Sequence, residues 1–252
     1  TDDSLEEPRA FSQAYLSNSQ WGQSAEQAVV TALAARMMDD VANKSLYEAK
    51  AMGYAASFSG GSHGLGFSIY GFDQKLPVIA QQLVGVFESL QWQQAQFERA
   101  KAELSRQLEN QALEPAYRQL HSRLRESLLS SAWPTESLQV ALEPLSFEVF
   151  VKQWQALSKF DHLAVLMAGN VAPEQQDELL AAWQALAPES SEQFGIPQPI
   201  VKAVDIGAAT EVFDVVGDDV AVNRYYRSPV PGIKGRALAA LTVQLLESGF
   251  YH

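Results

Sequence analysis

Four histidines are the first place to look for metal or acid–base chemistry: His63, His121, His162 and His252. None has a second histidine at helical ligand spacing, and a zinc site needs three convergent protein ligands. His63 falls in a Gly- and Ser-rich turn and reads as a surface imidazole. His121 follows Leu120 of an apolar helical stripe, a position suited to packing or solvent contact rather than proton transfer. Asp161 directly precedes His162, but neighbours on a strand point to opposite faces, so the two are not expected to act as a pair. The string Ser59-Gly-Gly-Ser-His-Gly-Leu-Gly66 has the glycines of a phosphate loop. It lacks the Gly-Lys-Ser/Thr ending and lies between strands rather than before a helix, so a hairpin is expected. No serine can be matched from sequence to the histidine and carboxylate of a hydrolase triad. The chain has no cysteine, which removes disulfides and thiolate ligands without fixing the compartment.

The elements that must position these residues follow from periodicity. Ala10 to Asn18 is expected to be a strand, carried by Phe11 and Tyr15. From Ser24, an N-cap candidate, to about Asn43 the pattern is helical, with Val29, Leu33, Met37 and Val41 at four-residue spacing. Leu46, Ala49 and Met52 continue as a helix end that Gly53 breaks. Ala56 to Ser59 is extended, Ser59 to Ser62 is a turn, and Gly66 to Phe72 alternates. Phe67, Ile69 and Gly71 share one face of that strand, and Ser68, Tyr70 and Phe72 the other. Asp73 is placed to cap a helix over Leu76–Leu90, with Pro77 in its first turn and Ile79, Leu83 and Phe87 as its stripe. A long helix over Gln93–Glu114 buries Phe97, Ala100, Leu104, Leu108 and Ala112. A further run from Pro115 presents Tyr117, Leu120, Leu124 and Leu128. Two shorter helices, Thr135–Leu142 and Ser146–Leu157, are separated at Pro144. The continuous apolar run Leu163–Ala168 predicts a buried central strand. A helix over Pro173–Leu186 follows it.

The stretch Leu46–Leu76 carries a family resemblance. Tyr47, Ala49, Gly53 and Tyr54, then Gly66, Ile69, Gly71, Phe72, Asp73 and Lys75, stand in an order that resembles the pitrilysin/insulysin group of zinc peptidases, the M16 family. The match is to the third of four related domains, not to the first, which holds the metal. In the metal-binding domain the helix matching Ser24–Asn43 carries His-x-x-Glu-His. Here that helix has no histidine, and its carboxylates are Glu26, Asp39 and Asp40. Active members take a third ligand from a Glu on a later helix. Glu98, Glu103 and Glu109 have comparable spacing, but without paired histidines they read as surface carboxylates. The string Gly169-Asn170-Val171 before a helix is similar to the segment that closes a domain in this family.

The resemblance implies an α+β fold: an M16 (LuxS/MPP-like) domain with a mostly antiparallel sheet and helices on one side, followed by a truncated second domain of the same type. The expected division is 1–187, a linker at 188–200 rich in proline and serine, and 201–252. In the last part Val212–Val216 and Val220–Tyr226 read as a hairpin and Lys234–Glu247 as a helix. Thr1 in place of an initiator Met, and an end just past that helix, give the expectation of a piece of a larger protein. The resemblance further implies a role as the wall of a peptide-enclosing chamber. The fragment would be inactive alone and hold no cofactor, with zinc in the first domain of the parent. Its partners would be the N-terminal catalytic half of the same chain and peptide substrates. Tyr225, Tyr226, Phe250 and Tyr251 are candidates to face the chamber, although core or strand positions are the plainer reading of the two tyrosines. The alternatives are an inactive M16-like subunit acting as an assembly partner, and an unrelated α+β binding module.

The bulk numbers agree with this class. Hydrophobic residues make up 47% of the 252, enough for a packed core. A net charge of −12 argues against nucleic-acid binding, since phosphate backbones call for a basic surface. No apolar run approaches the ~20 residues of a membrane-spanning helix. Likeness to bacterial members implies the periplasm, with the cytoplasm as the alternative.

Overall fold

The computed structural model of the chain describes residues 9–18, 21–62, 64–186, 212–214, 220–223, 225–226 and 230–250, with side chains as far as residue 246. Four strands form one antiparallel sheet: β1 (Arg9–Ser17), β2 (Ala55–Gly61), β3 (Gly64–Phe72) and β4 (His162–Gly169), in the order β2-β3-β1-β4. Phe11 lies opposite Tyr70 on β3 and Ala168 on β4, and Gln13 lies opposite Ser68 and Leu166. The sheet has two unlike faces. Ala10, Ser12, Ala14 and Leu16 of β1, with Leu65, Phe67 and Ile69 of β3, are buried beneath helices. Phe11, Gln13 and Tyr15, with Ser68 and Tyr70, line the other face and stay partly open. The period-2 alternation of β3 is thus the one its sequence predicts.

The helix α1 (Ala25–Ser45) runs through the centre of the helical layer. Ser24 caps it, its hydroxyl accepting from the Gln27 N–H at 3.3 Å. Val29, Leu33 and Met37 are buried as expected, and so are Val30, Ala34, Ala35 and Met38 on other sides of the helix. A helix buried almost all round is surrounded by other elements, and α1 meets β2, β3 and several helices. The short α2 (Tyr47–Ala51) ends at Gly53, which takes φ +87° to send the chain into β2. Next come α3 (Leu76–Ser89), α4 (Gln94–Ala112), α5 (Ala116–Leu128), α6 (Thr135–Leu142), α7 (Phe147–Leu157), α8 (Pro173–Gln184) and α9 (Gly232–Phe250). Phe67, Phe87, Trp92, Phe97, Phe150, Trp154 and Phe160 join edge to face or tilted into one aromatic cluster, with ring centroids 5.1–6.5 Å apart. From α8, the Trp183 indole N–H donates to the buried Ser12 hydroxyl at 2.8 Å, and that hydroxyl donates to the Leu166 carbonyl at 3.2 Å. One helix is thereby tied to β1 and β4 together.

Several expectations need correction. The turn predicted over Ser59–Ser62 is narrower: β2 runs on to Gly61, which pairs with Gly64. Asp73 does not cap α3. It opens a 3-10 turn, Asp73–Lys75, and α3 has no side-chain cap. Ala112 is exposed, and Tyr117 on α5 is 62% exposed, because only the first residue of α5, Ala116, is buried. The run Leu163–Ala168 is not a buried central strand: β4 lies at the sheet edge and its side chains are half-buried or exposed. The hairpin expected over Val212–Val216 and Val220–Tyr226 has no strand among its described residues. Residues 188–200 lie outside the described residues, as does most of the remainder of the expected second domain before α9. No described helix is long and apolar enough to cross a membrane.

Candidate functional site

The α1–β2 seam is where the sequence places the metal-binding question, and it is tightly packed. Gly60 of β2 lies against α1 so tightly that a Cβ there would stand 2.2 Å from the Thr31 carbonyl oxygen. Asp39 Oδ1 accepts the Phe58 backbone N–H at 2.6 Å, so the outward donor of an edge strand is satisfied by the helix. Burial raises the pKa of Asp39. The Phe58 hydrogen bond and the charges of Lys50 and Arg36 oppose that rise, and Asp40 adds to it. Arg36 reaches from α1 to the Gln107 side chain on α4. Its pKa is lowered by burial, with Glu103 and Asp39 acting in the other direction. Two of the candidate carboxylates therefore balance a guanidinium.

The other candidates are dispersed. Glu26 lies in the first turn of α1, where its own backbone N–H and the Ser24 hydroxyl lower its pKa. Glu98, Glu103 and Glu109 are exposed along α4, and Glu109 accepts from the Ser105 hydroxyl at 2.9 Å. His121 is exposed on α5. His63 and His252 fall outside the described residues. The expected divergence of Asp161 and His162 is corrected: Asp161 stands just before β4, and its Oδ1 lies 3.2 Å from His162 Nε2, a contact that does not by itself make the two a catalytic pair. Among the described residues no three His, Cys, Asp or Glu side chains converge to hold a metal. The helix α1, with no histidine along its length, does not carry the His-x-x-Glu-His of the family's active domain.

Of the chamber candidates, Tyr225 is 53% and Tyr226 78% exposed. Phe250 ends α9 with its side chain outside the described atoms, and Tyr251 is outside the described residues. Sequence reasoning missed what precedes the two tyrosines. Ala221, Val222 and Asn223 lie along α5 opposite Tyr117, Leu120 and His121, with an open groove of about 550 Å³ between them. Nearby, the Arg123 guanidinium stands 6.0 Å from the Phe213 ring centroid while it pairs with Glu126 and Glu136. The half-apolar stripe of α5 was the available signal: a helix with one buried residue has a face left for another segment.

A family model described as the middle or third domain of M16 peptidases matches residues 1–140. The chain belongs to the M16 peptidase family. Insulin-degrading enzyme of Drosophila melanogaster is 25% identical over 143 residues, which are 57% of this chain and 14% of that relative. This M16 chain therefore spans about one-seventh of the relative's length. Among solved structures, pitrilysin superposes with a TM-score of 0.61 at 19% identity, covering 76% of this chain and 20% of pitrilysin. An M16 inactive domain from Pseudomonas fluorescens superposes with a TM-score of 0.52 at 13% identity, covering 77% of this chain and 49% of that one. At these identities the structural likeness concerns the fold, and it agrees with an M16 domain built on an antiparallel sheet and helices.

Proposed function

We propose that this M16 middle domain is a non-catalytic wall of the chamber in which a zinc-dependent metalloendopeptidase encloses peptides. The zinc would sit in the first domain of the parent. The catalytic N-terminal half of the same polypeptide and the enclosed peptide would be this region's partners, and the periplasm its compartment. The observation that carries the reading is the build of α1. The helix that would present His-x-x-Glu-His has no histidine, and its carboxylate Asp39 is already committed to the Phe58 N–H. A helix so used contributes rigidity, not a metal ligand. Tyr225 and Tyr226, both exposed, remain the residues through which this wall would touch a peptide.

The test begins with the coding sequence on both sides of residues 1–252. His-x-x-Glu-His several hundred residues upstream supports the proposal, and an upstream helix without it turns the parent into an inactive assembly subunit. Calorimetric titration of the chain with zinc adds an independent arm. No stoichiometric uptake is expected, and one equivalent bound tightly would sink the non-catalytic reading.

A further inference from the structure

A helix of 13 residues such as α5 is marginal on its own in water, and helical stability in proteins comes chiefly from packing of the apolar face. Among the described residues the connected buried core takes nothing from α5. Ala116 is its one buried residue, while Leu120, Leu124 and Leu128 are half-buried. The helix is tied to α6 through Arg123, whose Nη1 donates to Glu136 Oε2 at 3.0 Å and whose Nη2 pairs with Glu136 Oε1. The same guanidinium stands 6.0 Å from the Phe213 ring centroid, within cation–π range. Exposure around Phe213 is uneven: Phe213 is 36% exposed, against 87% for Val212, 92% for Val220 and 81% for Val222. Phe213 is therefore the point at which this part of the chain is held. Ala221, Val222 and Asn223 lie across the groove from Tyr117, Leu120, His121 and Ser122, so later residues of the segment face earlier residues of the helix.

We infer that Phe213 is a latch: seated on Arg123, it holds its own part of the chain as a strap over α5, and α5 keeps its helix only while the latch is closed. The occupant of this helix face is a later segment of the same chain, placed by the ring contact at Phe213 and by Ala221–Asn223 across the groove. Arg123 suits the part, because a planar guanidinium can pair with a carboxylate along its edge and offer its face to a ring. Glu126, 3.1 Å from Nη1, and Glu136 offset its charge, so covering it with Phe213 strands no lone cation. Tyr225 and Tyr226 follow Asn223 by two and three residues, so the latch also sets where those side chains stand. Their contact with peptide rests on the chamber-wall reading; the latch itself does not.

The experiment uses the full 252-residue chain, which has no native cysteine. Ser122→Cys with Asn223→Cys, both at exposed positions, take nitroxide labels for a pulsed spin-label distance measurement. A single narrow distance is expected, and Phe213→Ala in the same background is expected to broaden it. Without labels, Phe213→Ala should speed amide exchange over Ala116–Leu128 at least ~10-fold while the amides of β1 and β3 stay unchanged. Phe213→Tyr keeps a ring on Arg123 and should leave both readings as they are with Phe213. The inference is overturned by a broad distance distribution in the chain that keeps Phe213, or by α5 exchange that Phe213→Ala leaves alone. Loosening of α5 by Phe213→Tyr as large as by Phe213→Ala, or loosening spread equally over the sheet, would overturn it as well. The chamber-wall proposal is judged separately, by zinc titration and flanking sequence, so failure of one is told apart from failure of the other.

Discussion

The carboxylate of Asp39 accepts a short hydrogen bond from Phe58 N–H while burial favours its protonated form, so two effects with opposite signs meet in one side chain. Asp39→Ala leaves the Phe58 donor unpaired beneath α1, a loss of about 1–3 kcal/mol in urea unfolding. Asp39→Asn keeps an acceptor and removes the charge, and is expected to be neutral or slightly stabilising at pH 7. The pH dependence follows from the folded-state pKa lying above the ordinary value of 3.8. Over that interval the folded chain holds more protons than the unfolded chain, so this group's contribution to stability falls as pH rises from 3.8 through the folded pKa. Asp39→Asn should remove that fall, and a stability–pH curve parallel to that of the parent would contradict the assignment. At Gly60 the contact with the Thr31 carbonyl leaves no room for a side chain. Gly60→Ala should cost about 1–3 kcal/mol by overpacking, measured in the same unfolding assay.

At the scale of elements, α8 is hydrogen-bonded to the sheet through Trp183. Trp183 is fully buried, touches Phe67 edge to face with centroids 6.1 Å apart, and donates to Ser12. Trp183→Phe removes the hydrogen bond and a little volume, for a loss of about 1–2 kcal/mol. Trp183→Ala opens a cavity and should cost about 3–5 kcal/mol, with β4 amides the first to exchange because the Ser12–Leu166 link is anchored by the same indole. Equal exchange over all four strands would show that Trp183 acts on global stability alone. The same elements mark how far the sequence could be read. Helix α1 was legible because Ser24 and the Val29–Leu33–Met37 repeat are local signals, and β3 because its alternation is complete. β4 was legible as a strand but not as an edge. Its apolar run records the burial it calls for, whereas its place depends on pairing with β1, about 150 residues away in the chain. In α5 the stripe from Tyr117 to Leu128 announced a helix without saying which segment would cover it, and residues 221–223 lie there. The closed seam at Asp39 had no sequence signal, because a carboxylate that caps a strand edge looks the same in sequence as one that faces water.

On the scale of the whole molecule, one buried core draws on the sheet and on α1, α3, α4, α6, α7 and α8 and includes Leu186, while α9 presents Leu238, Leu241, Leu245 and Leu246 to solvent. An apolar helix with most of its surface open contributes little to holding its own segment in place, since helical stability in proteins comes chiefly from packing of the apolar face. Between these two parts lies 188–200, with three prolines at positions 188, 197 and 199, two serines and Gly195. Proline removes backbone donors, and glycine and serine favour turns, so by composition this stretch offers few helix or strand formers. Proteases cut where the chain can be drawn locally into an extended form without unfolding a packed unit. Brief digestion at low protease concentration should therefore cleave first within 188–200 and leave a stable fragment ending near Leu186, by mass spectrometry. That fragment should melt at nearly the temperature of the full chain, because Trp183, Leu179 and Leu186 all belong to the body it retains. Cleavage within α4 before the linker would mean that Phe97, Leu104 and Leu108 do not hold that helix down, and the division of the chain at residue 187 would have to be abandoned.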